Sequence, residues 1–540
     1  MKRIIATALC VMMLIALSGC GAGIREESNS FSMAISGSPA TMDPQLAMDT
    51  LSTRSAGLCV STLYAYNKKN EILPALAESY ELSEDKLTYT FHLRDGLKWS
   101  DGRPLTAADF VFAFRRAVDP DTGSSMVFLM TDSCTIKNAA KINMGECKPE
   151  ELGVSAPDDK TFIVELEQPC PYFLSLLTQP LFSPCNEDFY EECAGEYATS
   201  VDTMLSCGAY MVDQYEPLAV QIGYRKNPYY FDPSDKLPEE INLRVVSNNQ
   251  QGVMCFLTGM FDNTVINGNV VSWLGENDNM IDIEYANSEY IIFGNVDKSA
   301  VKNKHIRRAL SLDVDREGIV KKVIRAGAVS LNRISPKNYY METDGTDFSA
   351  DDHRYDDDAN YSPELAKKEW EQGLKELGTD KVELELALDS TKKNVCEVIK
   401  QEWEKTLPGL KIKYNVMQSK DWVLATSKAE HDMLFAGWAA DYVDPTAFFN
   451  MFRTGSHGEG GYSNPTVDEL LDKCNTPEMV SNPDERNKTL HQIEDILMED
   501  AAEIPVYSDE VCYLVTPEYA DFDLTPTSSG IVIESLERRD

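Results

Sequence analysis

A carboxylate just past the end of a buried strand needs a reason, because burial disfavours its charged form. Asp441 is such a group. Residues 433–436 are a short apolar run, read as a buried strand that ends at Gly437-Trp438, where a turn is expected. Two alanines follow, then Asp441-Tyr442 and the turn signal Asp444-Pro445. Asp444, immediately before the proline, suits the cap of a helix over Pro445-Thr446-Ala447-Phe448-Phe449. Asp441 has no such local task and is the leading site candidate, weighed against a plain turn residue. Reactive constellations are missing from the sequence. It holds no G-x-S-x-G, H-E-x-x-H or G-x-x-x-x-G-K-[ST] pattern, and its six histidines show no ligand spacing. Asp351-Asp352 and Asp356-Asp357-Asp358 lack the glycine and terminal glutamate of a calcium loop and read as a solvated acidic stretch. No catalytic residue, metal or cofactor is expected.

The elements leading to Asp441 have a definite order. Val382, Leu384, Leu386 and Leu388 alternate with polar residues, the period of a strand. Val395, Val398, Ile399 and Trp403 recur at helical spacing up to Pro408-Gly409, and Leu410, Ile412, Tyr414 and Val416 alternate again. A second helix is expected over 419–429. Strand, helix, strand, helix, strand predicts parallel strands with right-handed crossovers. Open sheets of this kind bind ligands beyond the carboxyl ends of their strands, which is where 437–441 falls. Elsewhere, 31–35 reads as a first strand, 46–64 as a helix, and Tyr89, Phe91 and Leu93 as a strand. Thr106 and Asp109 make a capping box for a helix with Phe110, Phe114 and Val118 on one face. Trp99, Trp403 and Trp422 sit in apolar patterns and belong to the core, whereas Trp438 suits core and ligand wall equally.

At 540 residues the chain exceeds a single core and predicts two or three domains. A formal net charge of −38 repels polyanions and excludes a nucleic-acid partner. Met1-Lys2-Arg3 and the apolar run 4–17 read as an export signal, too short for a comfortable membrane span. Leu17-Ser18-Gly19-Cys20 resembles the bacterial lipobox, whose cysteine is lipidated and becomes the mature N-terminus. Residues 21–30 suit a flexible tether. The chain is thus expected outside the cytoplasm, anchored to the bacterial cell membrane by lipid on Cys20. Of 13 cysteines, setting aside Cys10 and Cys20 leaves an odd number, so at least one is free or pairs between chains. Cys134 with Cys147, or Cys185 with Cys193, would close small loops in an oxidising compartment.

Several stretches together carry a resemblance. They are Thr41-Met42-Asp43-Pro44; the run from Tyr89 through Trp99-Ser100-Asp101-Gly102 to Thr106; Asn227-Pro228-Tyr229-Tyr230; and His305-Ile306-Arg307-Arg308-Ala309-Leu310 through Asp315-Arg316. Gly437-Trp438-Ala439-Ala440-Asp441-Tyr442 and Gly461-Tyr462-Ser463-Asn464-Pro465 complete the set. In this order they resemble the family 5 extracellular solute-binding proteins, the oligopeptide- and dipeptide-binding components of ABC importers.

The resemblance implies an α/β, two-lobed periplasmic-binding-protein-like fold with a hinge and an extra α/β subdomain inserted in the first lobe. Lobe I would comprise 31–60, 186–287 and 508–540, the inserted subdomain 61–185, and lobe II 288–507. It further implies a peptide ligand, held by main-chain groups of Gly437, Trp438 and Ala439 on one lobe and by Met48, Asp49 and Thr50 on the other. Asp441 would pair with the ligand α-ammonium. Closure would hinge near Ser288 and Ser508, with delivery to an ABC permease and ATPase by a monomer. Two departures bear on the ligand. Phe435 stands where the best-known oligopeptide binders carry a basic residue for a ligand carboxylate. Ile504-Pro505-Val506-Tyr507 continues into Ser508-Asp509-Glu510 in place of further aromatics. The alternatives are a binder of another solute (nickel chelate, haem or sugar) and a lipid-anchored peptide receptor for signalling.

Overall fold

The computed structural model describes residues 29–275, 278–284, 286–325, 327–351, 354–417, 431–455, 461–527 and 530–539. Cys20, Trp422 and the helix expected over 419–429 lie outside the described residues.

The chain begins with β1 (Ser30–Ile35), α1 (Thr50–Gly57), the short pair β2 (Tyr64–Tyr66) and β3 (Ile72–Pro74), β4 (Ala77–Leu82), β5 (Thr88–Leu93) and α2 (Ala107–Val118). There follow β6 (Val154–Asp158), β7 (Thr161–Glu165), β8 (Tyr210–Gln214), β9 (Gln221–Lys226), β10 (Glu240–Val245), β11 (Asn263–Ile266) and β12 (Met280–Glu284). The second half contains β13 (Asn287–Phe293), β14 (Ala328–Ser330), β15 (Val382–Asp389), α3 (Lys393–Thr406), β16 (Leu410–Met417), β17 (Met433–Ala439), α4 (Thr446–Phe449), α5 (Pro483–Glu499) and β18 (Glu503–Val515), with further helices between them.

The strands order as β16-β15-β17-β13-β18-β11-β1-β10-β9-β8, and β4-β5-β7-β6 form a separate sheet. β15 pairs in parallel with both β16 and β17, as the alternating pattern and the intervening α3 require. β1 likewise runs parallel to β10 and β11. β18 is the strand common to both halves. Its first residues pair with β13, its last with β11 and β12. Ser508–Val511, whose partners are β14 (Ser508, Asp509) and β12 (Glu510, Val511), is the less buried part of the strand.

Each half has its own core. Trp403, Ile399, Leu386, Phe435 and Val506 pack beneath β15, β17 and α3. Phe31, Tyr224, Ile241 and Tyr513 pack on the other side of the β18 crossing. The molecule is therefore a two-lobed α/β protein. Phe91, Trp99, Phe114 and Phe162 fill the small sheet against α2, and this core continues through Tyr172 and Tyr442 to the residues around α4 and α5. Trp99 and Trp403 are fully buried, as expected. The capping box is present: Thr106 N donates to Asp109 at 2.8 Å.

Three expectations are corrected. The helix expected over 46–64 shrinks to α1, capped by Asp49. After Gly57 the chain is drawn into other bonds: Cys207 N and Gly208 N both donate to Cys59 O, and Tyr210 N donates to Leu58 O. The approach at Gly208 admits no side chain, since a Cβ there would stand 2.7 Å from the Cys59 carbonyl carbon. The strand at 433 does not turn at Gly437. It continues to Ala439 because β13 offers partners: Glu289 faces Gly437, Ser288 faces Trp438, and Asn287 faces Ala439. Finally, all eleven described cysteines are free, including Cys134, Cys147, Cys185 and Cys193.

Candidate functional site

β17 reaches its exposed end with one edge open. Antiparallel pairing sends the N–H and C=O of alternate residues toward the partner strand. Ala440 N donates to Ala286 O at 2.7 Å, which fixes the phase. The main-chain groups of Trp438 accordingly face β13, while those of Gly437 and Ala439 face the β15 side. There, among the described residues, β17 is paired only through Met433 and Leu434. Gly437 and Ala439 thus present free strand-like hydrogen-bonding groups past the carboxyl end of the parallel unit, where an extended chain could add as a strand. Trp438 contributes its indole, 36% exposed.

The turn after β17 is fixed from several directions. Gln179 Nε2 donates to Asp441 O at 2.9 Å and to Thr527 Oγ1 at 3.2 Å. Val443 N donates to Ser175 Oγ at 2.8 Å. The rings of Tyr172 and Tyr442 stack with centroids 3.9 Å apart. Asp444 N donates to the Tyr339 hydroxyl at 2.9 Å, and that hydroxyl donates to the Tyr442 carbonyl.

Asp441 and Asp444 meet opposite environments. Asp444 accepts from Thr446 N at 3.0 Å, the expected helix-start role. It also takes a bidentate, fully buried ion pair from Arg486, at 2.7 and 2.9 Å. Around the Asp441 carboxylate, no hydrogen bond or ion pair is made among the described residues. Burial alone pushes its pKa up to about 7. It is a desolvated carboxylate with no partner among the described residues.

Met48, Asp49 and Thr50 lie together and exposed at the start of α1. The Asp49 carboxylate is committed to the helix, accepting from Ser52 N at 3.0 Å and Ser52 Oγ at 2.5 Å. Thr50 lines a cavity of about 340 Å³ with Ile35, Arg54, Val246, Asn248 and Ile531, at the carboxyl ends of β1 and β10. A larger cavity, about 510 Å³, is lined by Tyr66, Arg94, Thr178, Tyr230 and Glu534 and also reaches Ile531. None of the expected 437–441 residues lines either cavity. The two expected groups share neither cavity; Thr527 touches Gln179, and Ile531 lines the Thr50 cavity.

Sequence reasoning missed a charged cluster beside Gly437. Lys392 Nζ lies 2.7 Å from Glu289 Oε1 and 3.7 Å from Asp509 Oδ2, and donates to the Tyr507 hydroxyl at 3.2 Å. Burial raises the pKa of both carboxyls, with Lys392 opposing the shift. The available signal was a glutamate inside the otherwise uncharged strand Asn287–Phe293. No group of three or more His, Cys, Asp or Glu suited to a metal occurs among the described residues, and none of the described helices is long and apolar enough to cross a membrane.

Comparison with known proteins gives the family of the chain. The chain is 30% identical to a dipeptide-binding protein of Lactococcus lactis, over 87% of this chain and 88% of that one. It is 29% identical to a probable deoxycholate-binding periplasmic protein of Escherichia coli, over 90% and 89%. Its fold matches that of Listeria monocytogenes OppA bound to peptide, with a TM-score of 0.75 and 28% identity, covering 94% of this chain and 99% of that one. The model for bacterial extracellular solute-binding proteins, family 5, matches residues 71–460. The open edge of β17, the unpartnered Asp441 and the two-lobed frame thus belong to a chain that is a member of the bacterial extracellular solute-binding proteins, family 5.

Proposed function

We propose that this protein captures peptides outside the cytoplasm, in a cleft between its two lobes, and delivers them to an ABC-type importer. The observation that carries the reading is the Asp441 carboxylate, desolvated and without a partner among the described residues, beside the main-chain edge of Gly437 and Ala439 that those residues leave open. A peptide supplies the complement of both: an α-ammonium for the carboxylate, and an amide backbone for the edge. Met48, Asp49 and Thr50 supply the facing wall. Closure turns about Ser288 and the Ser508–Val511 stretch of β18, between lobe I (31–60, 186–287, 508–540, with 61–185 inserted) and lobe II (288–507). The molecule works as a monomer, held to the bacterial membrane by lipid on Cys20, with permease and ATPase subunits as partners.

Mass spectrometry of ligands co-purified with protein lacking residues 1–20 tests the reading. Peptides are expected. A bile acid, sugar, haem or metal chelate in their place would overturn it. The bile-acid outcome has a named precedent in the E. coli relative, but an anionic steroid would meet the uncompensated Asp441 charge unfavourably. The anchor has its own test: Cys20→Ser should abolish lipid labelling of the full chain, and continued labelling would exclude it.

A further inference from the structure

We propose that Glu289 and Asp509, flanking Lys392 at the β13–β18 crossing, form a subsite that selects peptides carrying a cationic side chain, lysine or arginine. The inference rests on the peptide reading above and names a ligand class within it.

The first observation is charge balance. Two carboxylates face one ammonium, and Lys392 is the one cation that reaches either of them among the described residues. One negative charge is left without a counter-ion. Burial raises the pKa of both carboxyls, and the charge of Asp509 raises that of Glu289 further, which favours keeping a proton on the pair. A second cation would replace that proton and neutralise the group.

The second observation is position. Glu289 faces Gly437 across the β13–β17 pair, and a Cβ at Gly437 would stand 2.7 Å from Glu289 Oε1. The missing side chain therefore keeps the carboxylate lying over the strand whose main chain forms the open edge. Lys392 follows the carboxyl end of β15, so the cluster sits at the same end of the parallel unit as Asp441. Asp441 takes the ligand's amino end, so the cation met here belongs to a later residue.

The third observation is access. Side-chain exposure is 33% at Asp509, 27% at Lys392 and 13% at Glu289. The cluster is shielded enough for its charges to matter and open enough to be reached. It also faces away from anion recognition. With two carboxylates around it, Lys392 is a poor receptor for a ligand carboxylate, and Phe435 adds no cation on the neighbouring strand position.

Calorimetry with short alanine-based peptides, carrying lysine or norleucine at each position in turn, tests the subsite on the full mature chain. At one internal position lysine should bind about tenfold or more tightly than norleucine. Glu289→Gln and Asp509→Asn should each remove most of that preference. Lys392→Met, which removes the resident cation, should increase it. Asp509 is the more exposed of the two acids, so its variant carries the test if Glu289→Gln does not fold. Peptides that bind with no charge preference would overturn the subsite and leave peptide capture standing. A Lys392→Met variant that weakens every free-acid peptide, but not the C-amidated ones, would overturn it in favour of Lys392 as a carboxylate receptor. Failure of every peptide to bind would overturn the peptide reading and the subsite together.

Discussion

Asp441 and Asp444, three residues apart, show how one side-chain type meets two opposite environments, one paired and one not. Asp444 is neutralised by Arg486, and Asp444→Ala would strand a buried guanidinium. Breaking such a pair costs about 3–5 kcal/mol, measurable as a large fall in Tm. Asp441 has the opposite signature. Its pKa is raised from 3.8 to about 7, so the folded state holds the proton more tightly than the unfolded one. The stability linked to that proton is complete below about 4 and is lost as pH rises through about 7. Asp441→Asn should therefore raise Tm relative to the unmutated protein at pH 8 and much less at pH 5; an equal offset at both would break the linkage. Binding has the opposite pH dependence. An α-ammonium favours the charged carboxylate, so affinity for a free peptide should fall as pH drops below about 7. Asp441→Ala should weaken peptides by about two orders of magnitude, and N-acetylated peptides far less. A double-mutant cycle over mutation and acetylation isolates the pair, and near-zero coupling would remove Asp441 from the role. Asp441 was legible in the sequence because the local cap had a better claimant three residues on. Arg486 was not, because nothing local links it to Asp444 across 42 positions.

At the scale of elements, alternation made the strands legible and tertiary pairing changed their ends. Residues 381–388 and 410–416 announced themselves through period-two patterns, and the strands Val382–Asp389 and Leu410–Met417 pair as that pattern requires. Gly437 looked like a stop because glycine weakens a strand on its own. β13 supplied partners, and the strand ran on to Ala439. The 46–64 stretch failed the other way, since 207–210 claims the carbonyls a longer helix would need free. Glu289 escaped notice because an acid in a strand acquires meaning only when Lys392 and Asp509 arrive from distant segments. The open edge of β17 makes a sharp prediction. Ala439→Pro removes an N–H that faces away from β13, so it should leave Tm nearly unchanged. It should cost up to about tenfold in peptide affinity, the worth of one hydrogen bond. Trp438→Pro removes a donor that faces Ser288 and should lower Tm clearly. Equal effects of the two on stability would mean that the edge is not open.

At the scale of the whole molecule, the two lobes share β18, a strand of 13 residues whose middle, Ser508–Val511, is less buried than either end. That middle is paired with β14 and β12 yet is less buried than the ends, and a hinge needs only a few such residues to absorb its φ/ψ change. Asp509 lies within that stretch and carries one side of the acidic cluster. A cation bound there would touch the axis itself, while on the proposed reading Asp441 would hold the other end of the ligand. Closure should then depend on both charges being met. Small-angle scattering at saturating ligand, with occupancy confirmed by calorimetry, should show a smaller radius of gyration for a lysine-containing peptide with a free amino terminus. The same peptide N-acetylated, or with norleucine for lysine, should give less compaction at equal occupancy, because one charge at the cleft would then be buried without its partner. Equal compaction by all three would separate closure from the two charged sites, and no compaction by any of them would remove the hinge from the mechanism.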